Sequence, residues 1–227
     1  MRLKPVAVAL ILALVCLASR VSFADTLTIT GVGGQNTDGV YIYPYYFTVT
    51  GPESSETLVS MSCLNFNREV TIGESWSVNV IGVSSVTPNA TIDGESGLDI
   101  LADAYLFNKY AAATGNPQQI SDIQFAIWSI MDPSLTYSNT NGAYDSNAQA
   151  LAATALSLAP TLPSSAFAND NLFVPSGSYP NGGEPQEFLT DPPPAVITAT
   201  PEPASLLLVG TGLLGSAIIM RRRQAKC

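Results

Sequence analysis

Near residue 92 the hydrophobic pattern changes period, and this change constrains the fold more than any other feature of the sequence. Before it, Thr26 to Thr30 alternates polar and apolar, Val40 to Thr50 is rich in Tyr, Phe and Val, and Thr57 to Phe66 and Ser75 to Val83 are further runs of the same kind. Alternation with period two places one face of a strand on a core. Gly31 to Gly39 and Gly51-Pro52 punctuate these runs as loops or turns. Residues 25–92 are therefore expected to form at least four strands, antiparallel because their connections are short. The expected arrangement is a β sandwich or a barrel-like sheet.

After the change the spacing is helical. Leu98, Leu101, Ala102, Tyr105 and Leu106 share one stripe, with Asp99 and Asp103 expected on the opposite, solvent side, and the helix is expected to end near Thr114-Gly115. Asn116 is placed to cap a second helix with Pro117 at its first position, whose buried face runs through Ile120, Ile123, Ile127 and Ile130 up to Asp132-Pro133. A third helix is expected from Ser146 to Leu158, stopped by Pro160. The body is thus an α+β domain over residues 25–190: a β-rich part (25–92), a part with two or three short helices (96–158), and an extension (160–190). That extension is rich in Pro, Ser, Asn and Gly, yet Phe167, Leu172, Phe173, Val174, Phe188 and Leu189 make it too apolar for plain disorder. A final strand is expected near Glu187 to Thr190. Asp191 to Thr200, with Pro192-Pro193-Pro194, reads as a stiff linker.

Both ends of the chain read as addresses. Arg2 and Lys4, the apolar run Val6 to Ala18 and Ser22-Phe23-Ala24 form a signal peptide over residues 1–24, with cleavage by signal peptidase expected after Ala24. Lipoprotein processing at Cys16 is a second reading, against which stands the bulky Val15 where a small residue is wanted. A retained anchor is a third, but the run falls short of the ~20 residues of a spanning helix. At the other end Ala204 to Met220 is uncharged for 17 residues. At ~1.5 Å per residue that makes about 25 Å of helix, enough to just cross a bilayer. Arg221, Arg222, Arg223 and Lys226 follow, which keeps the tail cytoplasmic and the body outside.

The order Pro201-Glu202-Pro203, then a Leu- and Gly-rich span, then Arg221-Arg222-Arg223 resembles the PEP-CTERM sorting signal over residues 201–227, and it is the tripartite order at the C-terminus that makes the likeness specific. The resemblance implies handling by an exosortase, a membrane-embedded cysteine transpeptidase, at the inner membrane. It also implies delivery from there to the cell envelope or exopolysaccharide of a Gram-negative bacterium.

All 18 acidic residues of the chain lie between Asp25 and Glu202, and that stretch holds two bases, Arg68 and Lys109, for a net charge of −16. Such a field repels phosphate backbones and excludes nucleic acid as a partner. The densest acidic cluster, Asp93-Gly94-Glu95 with Asp99 and Asp103, lacks the ligand spacing of a calcium loop, and no metal site or cofactor is assigned. There is no histidine anywhere, which removes Ser-His-Asp and Cys-His catalysis and most zinc sites. Gly94-Glu95-Ser96-Gly97 is one residue short of a nucleophile elbow. The expectation is a protein that is not an enzyme, with a polysaccharide-directed hydrolase built on paired carboxylates as the remaining catalytic reading.

Cys16 leaves with the signal peptide and Cys227 lies on the cytoplasmic tail, so Cys63 alone remains outside. It reads as an inert buried thiol, an intermolecular disulfide partner or a modified group. Met61-Ser62-Cys63-Leu64-Asn65 on a predicted strand, with Gln124-Phe125-Ala126-Ile127-Trp128 on the second predicted helix, resembles the thioester domains of bacterial surface adhesins. The resemblance implies a thioester between Cys63 and Gln124 that captures an amine or hydroxyl of a surface partner. Two functions are therefore expected for the exported body: a non-enzymatic envelope or matrix protein, or the same protein acting as a thioester adhesin.

Overall fold

The computed structural model of the chain describes residues 24–33, 36–37, 40–51, 57–135, 142–177, 179 and 183–191. The expected signal peptide up to residue 23, the linker from residue 192 and the sorting signal with its helix over 204–220 lie outside the described residues. Among the described residues no helix is long and apolar enough to cross a membrane.

Among the described residues there are ten strands: β1 (Asp25–Val32), β2 (Asn36–Thr37), β3 (Val40–Tyr41), β4 (Tyr45–Thr50), β5 (Thr57–Cys63), β6 (Ser75–Gly82), β7 (Thr91–Ile92), β8 (Glu95–Ser96), β9 (Asn171–Pro175) and β10 (Phe188–Thr190). Six of them close an antiparallel barrel in the order β1-β4-β5-β10-β9-β6. Of the two arrangements expected, the barrel is the one found. The strands β2 with β3, and β7 with β8, make two small hairpins outside it.

Alternation decides which side chains fill the barrel. Leu27 and Ile29 on β1, Phe47 and Val49 on β4 and Trp76 and Val78 on β6 are buried, while Ser75 and Ser77 face water. Phe188 closes the middle, its ring 4.5 Å from that of Phe47 and 6.0 Å from that of Tyr45. Aromatic edges against faces at such spacings add to what burial alone contributes.

β9 and β10 are buried on both faces, so they do not alternate. A strand is expected at β10, whereas Leu172, Phe173 and Val174, expected in an extension, form β9. The reason is physical: period two marks a strand with one wet face, and the helices cover this side of the barrel.

The helical layer comprises α1 (Gly97–Phe107), α2 (Tyr110–Ala113), α3 (Pro117–Met131) and α4 (Gly142–Leu158). Ser96 caps α1 by accepting from Leu98 N, and Asn116 caps α3 by accepting from Gln119 N at 3.2 Å, with Pro117 in the first turn. The expected long first helix is interrupted at Asn108 and Lys109 and resumes as α2. Gly115, at a φ of 81°, turns the chain out of α2 in a conformation that suits glycine.

Asp103 corrects the expected solvent face of α1. It is fully buried, because α1 meets α3 and α4 on one side and β10 on another. Its oxygens meet no hydrogen-bond partner among the described residues. Burial, reinforced by Asp99 and Glu95, raises its carboxyl well above the usual range.

Candidate functional site

Cys63 is the last residue of β5, and β5 pairs with β10 so that Cys63 faces Phe188 and Ser62 faces Leu189. The ladder runs one step further, with Leu64 N donating to Glu187 O at 3.1 Å. This register sets the residues just before β10 alongside the end of β5.

The thiol of Cys63 is buried and donates to Oε1 of Gln186. From the helical side, Trp128 on α3 donates its indole N–H to Cys63 Sγ at 3.3 Å. The indole is held in place by Phe66 and Phe125, whose rings lie 4.9 and 5.0 Å from it. Burial pushes the Cys63 thiol up to about 12, with Trp128 pulling it down and Glu187 pushing it further up. At neutral pH the sulfur is thus held protonated.

Gln124 is fully buried on α3 and reaches the same strand end, but at the backbone. Its Nε2 donates to the carbonyl of Cys63 at 2.7 Å. Its Oε1 accepts from Tyr110 Oη at 3.0 Å and from Ser62 Oγ at 3.2 Å. Tyr110 is in turn stacked on Tyr43 with ring centroids 4.0 Å apart.

Gln124, expected to pair with the Cys63 thiol, thus meets the carbonyl of Cys63 instead of its sulfur. Both lone pairs of the Gln124 oxygen and one of its N–H groups are engaged in fixing the strand end, which is how a buried amide avoids a penalty of a few kcal/mol. The carboxamide at the thiol belongs to Gln186. Sequence reasoning missed Gln186 because it sits in a Pro- and Gly-rich stretch, Pro180-Asn181-Gly182-Gly183-Glu184-Pro185. The available signal was its position two residues ahead of the apolar pair Phe188-Leu189.

Above the thiol lies an open cleft of about 530 Å³, whose lining includes Cys63 and Gln186 together with Tyr41, Phe66, Arg68 and Trp128. Tyr41 is half exposed at its rim. Trp128 brings α3 into the wall of the same cleft, beside the buried Cys63.

Beside the cleft, Arg68 Nη1 meets Glu187 at 2.6 Å and Asp93 at 3.4 Å, and its Nη2 meets Glu184 at 3.5 Å. Glu187 is almost wholly buried. Burial lifts its carboxyl to about 7, while a backbone amide and Arg68 pull the other way.

Among the described residues no cluster of three His, Cys, Asp or Glu side chains is placed to hold a metal ion. Pro201, Glu202 and Pro203 and the basic stop Arg221, Arg222 and Arg223 lie outside the described residues.

Residues 199–224 match the PEP-CTERM protein-sorting motif. The chain therefore carries a signal that implies export and exosortase-dependent sorting to the cell envelope. No match is found among curated protein sequences. Among solved structures, the chain is similar to the N-terminal domain of the Streptococcus pyogenes pilus tip adhesin Cpa, at 16% identity over 76% of this chain and 95% of that one, with a TM-score of 0.38. It is similar to the N-terminal thioester domain of a Clostridium perfringens surface protein, at 13% identity over 73% of this chain and 97% of that one, with a TM-score of 0.38. A third is the N-terminal thioester domain of a protein F2 like fibronectin-binding protein from Streptococcus pneumoniae, at 12% identity, 74% and 93% coverage and a TM-score of 0.42. At these scores no residue's role passes from those domains to this chain.

Proposed function

We propose that this is a non-enzymatic surface protein whose body carries an internal thioester between Cys63 and Gln186, through which it binds one partner covalently and once. The observation that carries the reading is the Gln186 carboxamide against the Cys63 thiol at the floor of an open cleft.

Formation joins Cys63 Sγ to the Gln186 side-chain carbonyl carbon and breaks that carbon's bond to nitrogen. Ammonia leaves with the thiol proton. Holding the two groups in contact supplies the advantage of an intramolecular reaction, on the order of 10⁵ M or more in effective concentration. In capture, an amine or hydroxyl of the partner adds to the same carbon and the carbon–sulfur bond breaks. The nucleophile's proton passes to sulfur, regenerating the thiol. Trp128 is placed to stabilise the sulfur as it leaves, because a donor aimed at developing negative charge acts where the charge appears. No step restores the thioester, so there is no turnover.

The test is the intact mass of the purified chain. The expected mass is lower than that of the unmodified polypeptide by one ammonia, and methylamine should raise it by the mass of one methylamine. Full mass in the untreated protein removes the reading.

In this reading the sorting signal delivers the chemistry to the cell envelope. Replacing Pro201, Glu202 and Pro203 with alanine is expected to leave the apolar span and Arg221 to Arg223 holding the chain in the inner membrane while processing stops. Release at the unaltered rate would contradict the sorting role.

A further inference from the structure

Arg68 touches three carboxylates, and two of them bracket Gln186 in sequence: Glu184 lies two residues before it and Glu187 one residue after. The third, Asp93, belongs to the turn between β7 and β8. Arg68 itself lines the cleft with Cys63 and Gln186. We propose that Arg68 is a positioning residue for the thioester, a latch whose guanidinium fixes the segment 184–187 so that the Gln186 carbonyl carbon is held on the Cys63 sulfur. The inference rests on the function proposed above.

The chemistry of the contacts supports a latch rather than a surface ion pair. Glu187 is 2% exposed, and its second oxygen, Oε2, has no hydrogen-bond partner among the described residues. Arg68 is thus the cation that keeps this carboxylate inside; a buried charge that loses its partner is driven to protonate or to leave. The backbone of Glu187 is pinned by Leu64 N, yet residues 183–186 form no strand of their own. Side-chain contacts at Glu184 and Glu187 therefore orient the two residues between them, Pro185 and Gln186. A planar fork with several donors suits this task, since one group grips carboxylates from separate directions. The other base of the body, Lys109, is engaged elsewhere, its ammonium 4.4 Å from the centre of the Tyr105 ring.

The experiment compares full-length chains purified in detergent, reading the fraction that lacks one ammonia by intact mass and the fold by circular dichroism. Misplacement of a reacting group by about 1 Å costs roughly a hundredfold in rate. Arg68→Ala is therefore expected to lose most of the ammonia-deficient species while keeping the wild-type spectrum. Arg68→Lys, which keeps the charge and loses the fork, is expected to restore a substantial part of it. If Arg68→Ala does not fold, Glu187→Gln serves in its place, being of equal size and without the charge that the latch grips, with the same loss expected. A wild-type fraction in folded Arg68→Ala, or in Glu187→Gln where Arg68→Ala fails to fold, overturns the latch and leaves the proposed function standing. A wild-type chain of full mass overturns both.

Discussion

Cys63 and Phe188 face each other across β5 and β10, and this register decides which glutamine reaches the thiol. With Phe188 opposite Cys63, Gln186 is carried to the end of β5, where its side-chain oxygen takes the thiol proton as a hydrogen bond. Gln124 arrives from α3 and meets the backbone of the same residue. Gln186 thus meets the sulfur of Cys63 and Gln124 its backbone carbonyl.

If Gln124 holds the strand end, its loss is felt first in stability. Gln124→Ala leaves the Cys63 carbonyl without its donor, and takes the shared acceptor from the Tyr110 and Ser62 hydroxyls, which keep only each other at 3.3 Å; a buried group left unpaired costs about 1–3 kcal/mol. A lower unfolding midpoint in urea is expected. An unchanged midpoint would show that Gln124 does not have the holding role assigned to it.

Trp128→Phe keeps an aromatic ring between Phe66 and Phe125 but removes the N–H on sulfur. A hydrogen bond to a group gaining charge is worth about 1.5–3 kcal/mol. The addition of methylamine, followed by mass, is therefore expected to slow roughly tenfold or more. An unaltered rate would remove Trp128 from the capture step.

Much of this molecule is legible in its residues, and what is not has identifiable causes. The Asn116-Pro117 start of α3 and the alternation of β1, β4 and β6 are local signals, and each found its element. The covered strand β9 carries no alternation because both its faces are dry. Asp103 sits at a helical position that reads as solvent-facing until α3 and α4 are packed on α1. Gln186 was hidden for a related reason: its importance comes from the pairing of two strands separated by more than a hundred residues, and no local pattern encodes that register. Cys63 and Trp128 stood out in the sequence, and the structure brings them together.

The buried carboxyl of Asp103 makes stability depend on pH in a stated direction. Its native pKa is raised above the ordinary value of 3.8, so the native state binds the proton more tightly than the unfolded chain. Its contribution is fully present below about pH 4 and is lost as pH rises toward the native value, at about 1.4 kcal/mol per pH unit. Asp99 and Glu95 push the same way. Asp103→Asn is expected to raise the urea midpoint at pH 7 and to flatten its pH dependence above pH 4. A variant as pH-dependent as the wild type would contradict this assignment.

Assignment of the reacting glutamine is the most direct test of all. The full chain is treated with methylamine, digested, and its peptides sequenced by mass spectrometry. A methylamide at Gln186 with an unmodified Gln124 is the predicted result; a methylamide at Gln124, or at neither residue, contradicts the account.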